Sequence, residues 1–191
     1  MNPCYTIMYP LKIPLGKITT SINSSFIEDA KKYLTQDVNF NNGFVQACVK
    51  PKFISTTELH MVDSIREKYL KPYLLPKLID LYMDSTMYSP SRRNIIESKK
   101  KNIDVCGLWV VEYNKDTYFN LHSHVSAPNY LSFSWYLKCK EERRVTFVSD
   151  NKEHNIYVSE GDILLFPSWL PHRASGEESI CCSGNFKIEV E

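Results

Sequence analysis

A strict alternation of apolar and polar side chains between residues 130 and 138 constrains the fold of this chain more than any other feature. One face carries Leu131, Phe133, Trp135 and Leu137, and the other carries Tyr130, Ser132, Ser134, Tyr136 and Lys138. Since successive side chains of a strand point to opposite faces, this pattern predicts a β-strand with one face in a hydrophobic core. Further strands are predicted at 108–113, 144–148, 155–158, 163–166 and 180–190, with polar turns between them.

The first hundred residues have a mostly helical pattern. Ser24 and Ser25 offer an N-cap for a helix over 26–34. A second helical stretch runs from residue 56 towards 83, and Pro72 and Pro76 are expected to break or kink it into two pieces.

Helices followed by short strands predict an α+β, mainly β architecture: a double-sheet jelly roll with a helical layer outside one sheet. We expect a helical part over residues 1–104, which includes a short strand at 5–13 and a boundary segment at 85–102. The β core is expected over residues 105–191, and the two parts are expected to form one integrated domain.

Composition narrows the classes of function. The net charge of +1 gives no basic field of the kind that binds nucleic acid, and no apolar stretch is long enough to span a bilayer. The N-terminal residues lack a secretory signal pattern, and the six cysteines include no C-x-x-C pair. We therefore expect an intracellular protein with reduced thiols, and neither a membrane nor a nucleic acid as its partner.

Three histidines are the candidate metal ligands. His122 and His124 are two residues apart in a strand-like stretch, so their side chains point to the same face. His172 follows a second apolar strand and supplies the third imidazole. Imidazole suits iron, copper, nickel or zinc, and three protein ligands leave positions open for reactants. This set predicts a catalytic first-row metal site.

The same residues carry a resemblance to a known family. The segments WVVEY (109–113), HSH (122–124), LSFSWYL (131–137), EGDILLFPSWLPHR (160–173) and SGN (183–185) resemble the 2-oxoglutarate/Fe(II)-dependent oxygenases of phages, marine bacteria and large viruses. These oxygenases belong to a superfamily that includes the prolyl hydroxylases. The resemblance implies a double-stranded β-helix, which is a jelly-roll or cupin-like fold with helices against one sheet. It also implies Fe(II) bound by His122, His124 and His172, with 2-oxoglutarate and O2 as co-substrates of a hydroxylase.

The co-substrate end departs from the family pattern. Relatives carry an arginine on the last strand that pairs with the far carboxylate of 2-oxoglutarate, and Ser179 stands at that position here. The resemblance makes Lys138 the replacement, with Tyr136, Ser132 and Asn185 as further co-substrate residues. Arg173 is a poor replacement, because on an extended strand it points away from the face that holds His172.

Two alternatives to the dioxygenase follow from this departure. The first is a cupin-like metal enzyme that does not use 2-oxoglutarate, and the second is an inactive β-barrel that serves as a binding module. For the dioxygenase, a protein side chain, a metabolite or a nucleobase is the open choice of primary substrate, and the near-neutral charge disfavours nucleic acid.

Overall fold

The structure, a computed structural model, describes residues 16–21, 24–35, 48–49, 53–55, 59–84, 103–124, 130–174 and 177–188. The strand predicted at 5–13 and the boundary segment predicted at 85–102 lie outside these residues. The strands are β1 (Gly16–Thr19), β2 (Leu34–Thr35), β3 (Cys48–Val49), β4 (Phe53–Ser55), β5 (Ile103–Tyr113), β6 (Tyr118–His122), β7 (Tyr130–Cys139), β8 (Arg143–Ser149), β9 (Lys152–Val158), β10 (Asp162–Pro167), β11 (His172–Ala174) and β12 (Ser179–Ile188). The helical elements are α1 (Ser24–Lys31), a 3-10 turn (Leu59–Met61), α2 (Asp63–Ile65), a π-helical segment (Arg66–Leu74) and α3 (Leu75–Asp84).

Two antiparallel sheets form a double-stranded β-helix. The larger has seven strands in the order β1-β10-β7-β12-β5-β4-β2, and the smaller has five in the order β3-β6-β11-β8-β9. Neighbouring strands of the larger sheet come from distant parts of the sequence, as expected when the chain crosses repeatedly between two sheets. The predicted mainly β jelly roll with helices against one sheet is confirmed.

The outer face of the larger sheet packs against the helices. The apolar face predicted for β7 lies there, since Leu131, Phe133, Trp135 and Leu137 all belong to one core with residues of α1, the π-helical segment and α3. Trp135 stacks on Phe26 of α1, with ring centroids 5.5 Å apart. Burying an aromatic side chain of this size contributes about 1.5–3 kcal/mol, so this layer holds the helices on the sheet.

The helical stretch is not interrupted at its prolines. Pro72 lies inside the π-helical segment, and the Leu75 N–H donates to the Leu70 carbonyl, an i→i−5 bond. The wider π-helical turn accommodates a residue that has no N–H, and Pro76, the second residue of α3, continues the same helical run. The predicted break is therefore wrong. Helix α1 also ends at Lys31, three residues earlier than expected, because Leu34 and Thr35 form β2.

A second core fills the space between the two sheets. Its members come from β5, β6, β7, β8, β9, β10 and β12, together with the turn after β10, and include Trp109, Phe147 and Phe166. The vicinal Cys181 and Cys182 face opposite sides of β12, one in each core, as strand geometry predicts. Among the described residues, no helix is long and apolar enough to cross a membrane.

Candidate metal centre

A β-bulge in β6 turns two histidines towards the interior. His122 of β6 pairs with His172 of β11, but Phe119 pairs with Ala174, so three residue steps on β6 match two on β11. The extra residue reverses the alternation of side chains, which places both Phe119 and His122 on the inner face and leaves Leu121 exposed. Simple alternation from Phe119 would have pointed His122 outwards.

The three predicted histidines lie together. The ring centroids of His122 and His172 are 4.4 Å apart, those of His124 and His172 are 5.0 Å apart, and those of His122 and His124 are 5.3 Å apart. One ring nitrogen from each lies within 4.8 Å of the other two. His172 is 8% exposed, while His122 and His124 are half-buried at the mouth of the interior.

Two of the three rings are oriented by backbone carbonyls. Nδ1 of His122 lies 2.7 Å from the Asn120 carbonyl oxygen, and Nδ1 of His172 lies 2.9 Å from the Leu170 carbonyl oxygen. Because a carbonyl can only accept, each Nδ1 carries the hydrogen and each Nε2 carries a lone pair. This is the tautomer of a histidine that binds a metal through Nε2.

His124 is oriented by side chains instead. Its Nδ1 lies 2.8 Å from Oδ1 of Asn185 and 2.8 Å from Oγ of Ser132. The main chain of His124 is held as well, since its N–H donates to the Ser168 carbonyl at 2.7 Å. The amide oxygen accepts the Nδ1 hydrogen, so Nε2 of His124 also carries a lone pair.

Burial keeps this cluster uncharged. Desolvation lowers the pKa of His122 and of His172, and it lowers the pKa of His124 to about 4. A second positive charge nearby would add repulsion, which further lowers the pKa of His124 and His172. At neutral pH the site therefore presents neutral imidazole nitrogens, the form in which histidine binds metals.

A narrow pocket with a cavity volume of about 30 Å³ lies between the histidines and the interior of the barrel. Aromatic and small polar side chains line the part beyond the histidines: Trp109, Tyr113, Phe119, Ser134, Tyr136, Phe166 and Ser183. The Trp109 ring packs edge-on against His124, with centroids 5.9 Å apart. The site thus continues into a small cavity that is lined by aromatic rings and by hydroxyl groups.

A buried arginine lies beyond the tyrosines of this pocket. Arg143, the first residue of β8, is 0% exposed and donates from Nη1 to Ser179 Oγ at 2.6 Å. Its guanidinium carbon lies 4.0 Å from the ring centroid of Tyr113 and 5.9 Å from that of Tyr136. Sequence reasoning missed Arg143, although the alternation Arg143, Val145, Phe147 along β8 was a signal that it shares their inner face.

The structure does not bring Lys138 into this pocket. Between Tyr136 and Lys138 the pairing of β7 with β12 shifts by one residue, so Tyr136 pairs with Cys181 and Lys138 pairs with Ile180. This bulge turns Lys138 to the helix side of the sheet, where it is exposed beside α1. Arg173 points outwards as expected and pairs with Glu153 at 2.9 Å.

The other three predicted co-substrate residues lie inside the barrel. Tyr136 lines the pocket and is buried, which raises the pKa of its phenol, so it is a neutral donor there. Ser132 and Asn185 are arranged around Nδ1 of His124, on the side of the imidazole away from the shared ligand position.

No protein-family model and no curated protein matches the sequence. Solved structures do match. A prolyl-4-hydroxylase from Pseudomonas putida aligns over 93% of this chain and 94% of its own, with a TM-score of 0.57 and 13% identity. The α-ketoglutarate-dependent epimerase SnoN from nogalamycin biosynthesis aligns over 92% and 77%, with a TM-score of 0.58 and 10% identity.

HygX from Streptomyces hygroscopicus, a structure with nickel and 2-oxoglutarate bound, aligns over 92% of this chain and 83% of its own, with a TM-score of 0.55 and 11% identity. The chain spans 45% of the length of an oxygenase-family protein from Burkholderia pseudomallei. At these identities the likeness is one of fold. This chain has the double-stranded β-helix fold of these three proteins over nearly its whole length.

Proposed function

We propose that this protein is an Fe(II)- and 2-oxoglutarate-dependent dioxygenase whose metal ligands are His122, His124 and His172. The observation that carries the proposal is the convergence of three neutral imidazoles, each with Nδ1 hydrogen-bonded and Nε2 available, at the mouth of a double-stranded β-helix. Three proteins of this fold support it: a prolyl-4-hydroxylase, an α-ketoglutarate-dependent epimerase, and HygX, whose structure holds nickel and 2-oxoglutarate.

The donor set fits a first-row divalent metal. Imidazole nitrogens suit Fe(II), and three protein ligands leave coordination positions for reactants. When bound, the metal supplies the redox chemistry that couples O2 and the oxidative decarboxylation of 2-oxoglutarate, to succinate and CO2, to hydroxylation of a C–H bond. Neutral ligands leave the charge of the cation uncompensated, which favours an anionic co-substrate.

We propose Arg143 as the partner of the far carboxylate of 2-oxoglutarate. Phe147, which packs on His172, and Arg143 share the inner face of β8, and four residues of strand separate them by roughly 13 Å. A carboxylate in the pocket between them would meet a guanidinium that is already oriented by Ser179 and Tyr113. Arginine on β8 would thus serve where relatives use one at the position of Ser179.

The pocket residues have distinct tasks in this proposal. Tyr136 offers a neutral hydroxyl to the co-substrate, and the aromatic rings exclude water from the reacting atoms. We propose a protein side chain or a metabolite as the primary substrate. We also propose an intracellular location, because four of the described cysteines, Cys106, Cys139, Cys181 and Cys182, are free thiols as expected in a reducing compartment.

Succinate release tests the proposal. With Fe(II), O2 and 2-oxoglutarate, the wild-type protein should form succinate, and His172→Ala should abolish it, because two imidazoles do not complete the ligand set. Arg173→Ala is the matched control, since Arg173 is the next residue on β11 but points outwards to Glu153. Unchanged turnover in His172→Ala, or no succinate from the wild type, would reject the assignment.

A further inference from the structure

His124 differs from the other two proposed ligands in what holds its ring. It lies just beyond β6, and the contacts to its Nδ1 come from Ser132 on β7 and Asn185 on β12. We infer that Asn185 and Ser132 are positioning residues that set the metal affinity of the site through His124, rather than co-substrate contacts. This inference rests on the proposed metal site and assigns the two residues a role within it.

The hydrogen bonds form a closed group. Asn185 Oδ1 accepts from Nδ1 of His124 at 2.8 Å and from the Ser132 hydroxyl at 2.7 Å. The Ser132 hydroxyl is also 2.9 Å from Oγ of Ser168, whose backbone carbonyl accepts the His124 N–H. Ser132 and Ser168 are both 0% exposed. Two strands, β7 and β12, therefore converge on the imidazole of His124, and the turn after β10 holds its main chain.

The backbone conformation of β12 places the side chain of Asn185 close to His124. Gly184 lies so close to β5 and β7 that an added Cβ would be 2.2 Å from the Gly107 carbonyl oxygen and 2.7 Å from Cζ of Phe133. The pairing of β12 with β5 shifts immediately after Asn185, which pairs with Gly107, whereas Phe186 pairs with Val105. This close approach and the adjacent bulge place the amide of Asn185 at the Nδ1 edge of the His124 ring.

The role follows from the tautomer. An acceptor at Nδ1 fixes the hydrogen there, holds the lone pair on Nε2 and increases the basicity of that nitrogen. For His122 and His172 the acceptor at Nδ1 is a backbone carbonyl, which no side-chain substitution removes. Asn185 is different because its oxygen belongs to a side chain, so the tautomer of His124 can be released without touching the ligand itself.

Cobalt(II) binding tests the inference without requiring turnover. Co(II) is titrated into metal-free protein, followed by calorimetry and by its visible absorption, which reports ligand geometry. We expect Asn185→Ala to bind Co(II) about 10–100-fold more weakly, with an altered spectrum, since loss of outer contacts to a ligating histidine has effects of this size. Ser132→Ala should weaken binding less, because Asn185 Oδ1 still accepts from Nδ1.

Asn185→Asp should restore the affinity lost in Asn185→Ala, because a carboxylate oxygen also accepts from Nδ1–H. Asn155→Ala is the matched control, since Asn155 likewise accepts a side-chain hydrogen bond from a buried residue, Thr146, at 2.8 Å, but on β9. It should bind Co(II) like the wild type.

The outcomes separate the two proposals. Wild-type affinity and spectrum in Asn185→Ala would overturn the positioning role and leave the metal site standing. Loss of binding in a folded Asn185→Asp equal to that in Asn185→Ala would also overturn it, because the acceptor is retained. A wild-type protein that binds no Co(II) would overturn the proposed metal site, and the positioning role with it.

Discussion

The histidine cluster at the mouth of the pocket and the buried Arg143 behind the tyrosines at its far end are both nitrogen-rich, but they differ in charge. At the mouth, burial lowers the pKa of three histidines, so the site offers lone pairs and no charge. At the far end, Arg143 keeps its charge in a fully buried position, because a guanidinium does not lose its proton in proteins. The histidine end thus favours a cation, and the Arg143 end favours an anion. This difference suits a molecule that chelates a metal at one end and carries a carboxylate at the other.

Burial costs more desolvation free energy at Arg143 than at the neutral histidines. A buried cation loses much of its hydration, and its contacts, which include the Tyr113 ring and the Ser179 hydroxyl, compensate for that loss. The histidine end carries no such cost until a proton or a metal arrives. The proposed role of Arg143 as a carboxylate partner would account for a buried cation at this position, whereas the histidines gain their tautomers from the fold alone.

Substitution of Arg143 should have the largest effect on this comparison. Arg143→Gln removes the charge that would bind the far carboxylate, and a hydrogen bond to a charged group is worth about 1.5–3 kcal/mol. We therefore expect 2-oxoglutarate to bind roughly 10–150-fold more weakly, while Co(II) affinity at the histidine end stays unchanged. Calorimetry with 2-oxoglutarate and with Co(II) measures the two ends separately.

A relocated arginine supplies the control for that result. Ser179 Oγ already contacts the guanidinium, so an arginine at position 179 would extend from β12, on the facing sheet, towards the position that the Arg143 guanidinium occupies. The double variant R143S/S179R should recover a large part of the affinity that R143S loses. If Arg143→Gln binds 2-oxoglutarate as the wild type does, the far end has another role.

The histidine cluster should make the stability of the metal-free protein depend on pH. In the unfolded chain His124 takes up a proton near pH 6.5, whereas in the folded protein its pKa is about 4. Since the unfolded state binds more protons between these values, the free energy of unfolding should fall as the pH is lowered from about 6.5 to 4. His122 and His172 shift in the same direction and add to the effect.

Thermal melts of the metal-free protein across this range measure the fall. His124→Asn should flatten the profile, because asparagine does not titrate. A bound divalent metal should make the free energy of unfolding fall more steeply as the pH is lowered, since protons then compete with the metal for the same nitrogens. A flat profile in the wild type would mean that the histidines are not desolvated as the structure indicates.

The sequence predicted the regular parts of this molecule and missed its irregular ones. Alternation along β7 correctly separated the helix-side core from the barrel interior, and the three histidines were found because residue type and strand context agree. The bulges in β6 and β7 could not be predicted, because a bulge is decided by pairing with a distant strand. The first preserved the predicted cluster, whereas the second moved Lys138 to the other face.

Arg143 was missed for a related reason. A charged residue at the first position of a strand is normally predicted to be exposed to solvent. Arg143 is buried only because β5 and β12 approach it in the folded protein. The π-helical segment is a further case, since its wide turns depend on packing against the sheet, and proline propensity alone predicts a break. Local patterns thus describe elements well, but not the pairings that fix which way each side chain points.

Lys138→Ala should have the smallest effect, and it isolates the consequence of the β7 bulge. Lys138 and Arg143 are five residues apart and carry the same charge, but Lys138 is exposed beside α1 while Arg143 is buried. An exposed substitution changes stability by about 0.5 kcal/mol or less, so we expect the affinity for 2-oxoglutarate to stay within roughly two-fold of the wild type. The same calorimetric titration used for Arg143→Gln measures it. A loss in Lys138→Ala as large as that in Arg143→Gln would mean that the cation serving the co-substrate comes from β7, and that the bulge does not persist when 2-oxoglutarate binds.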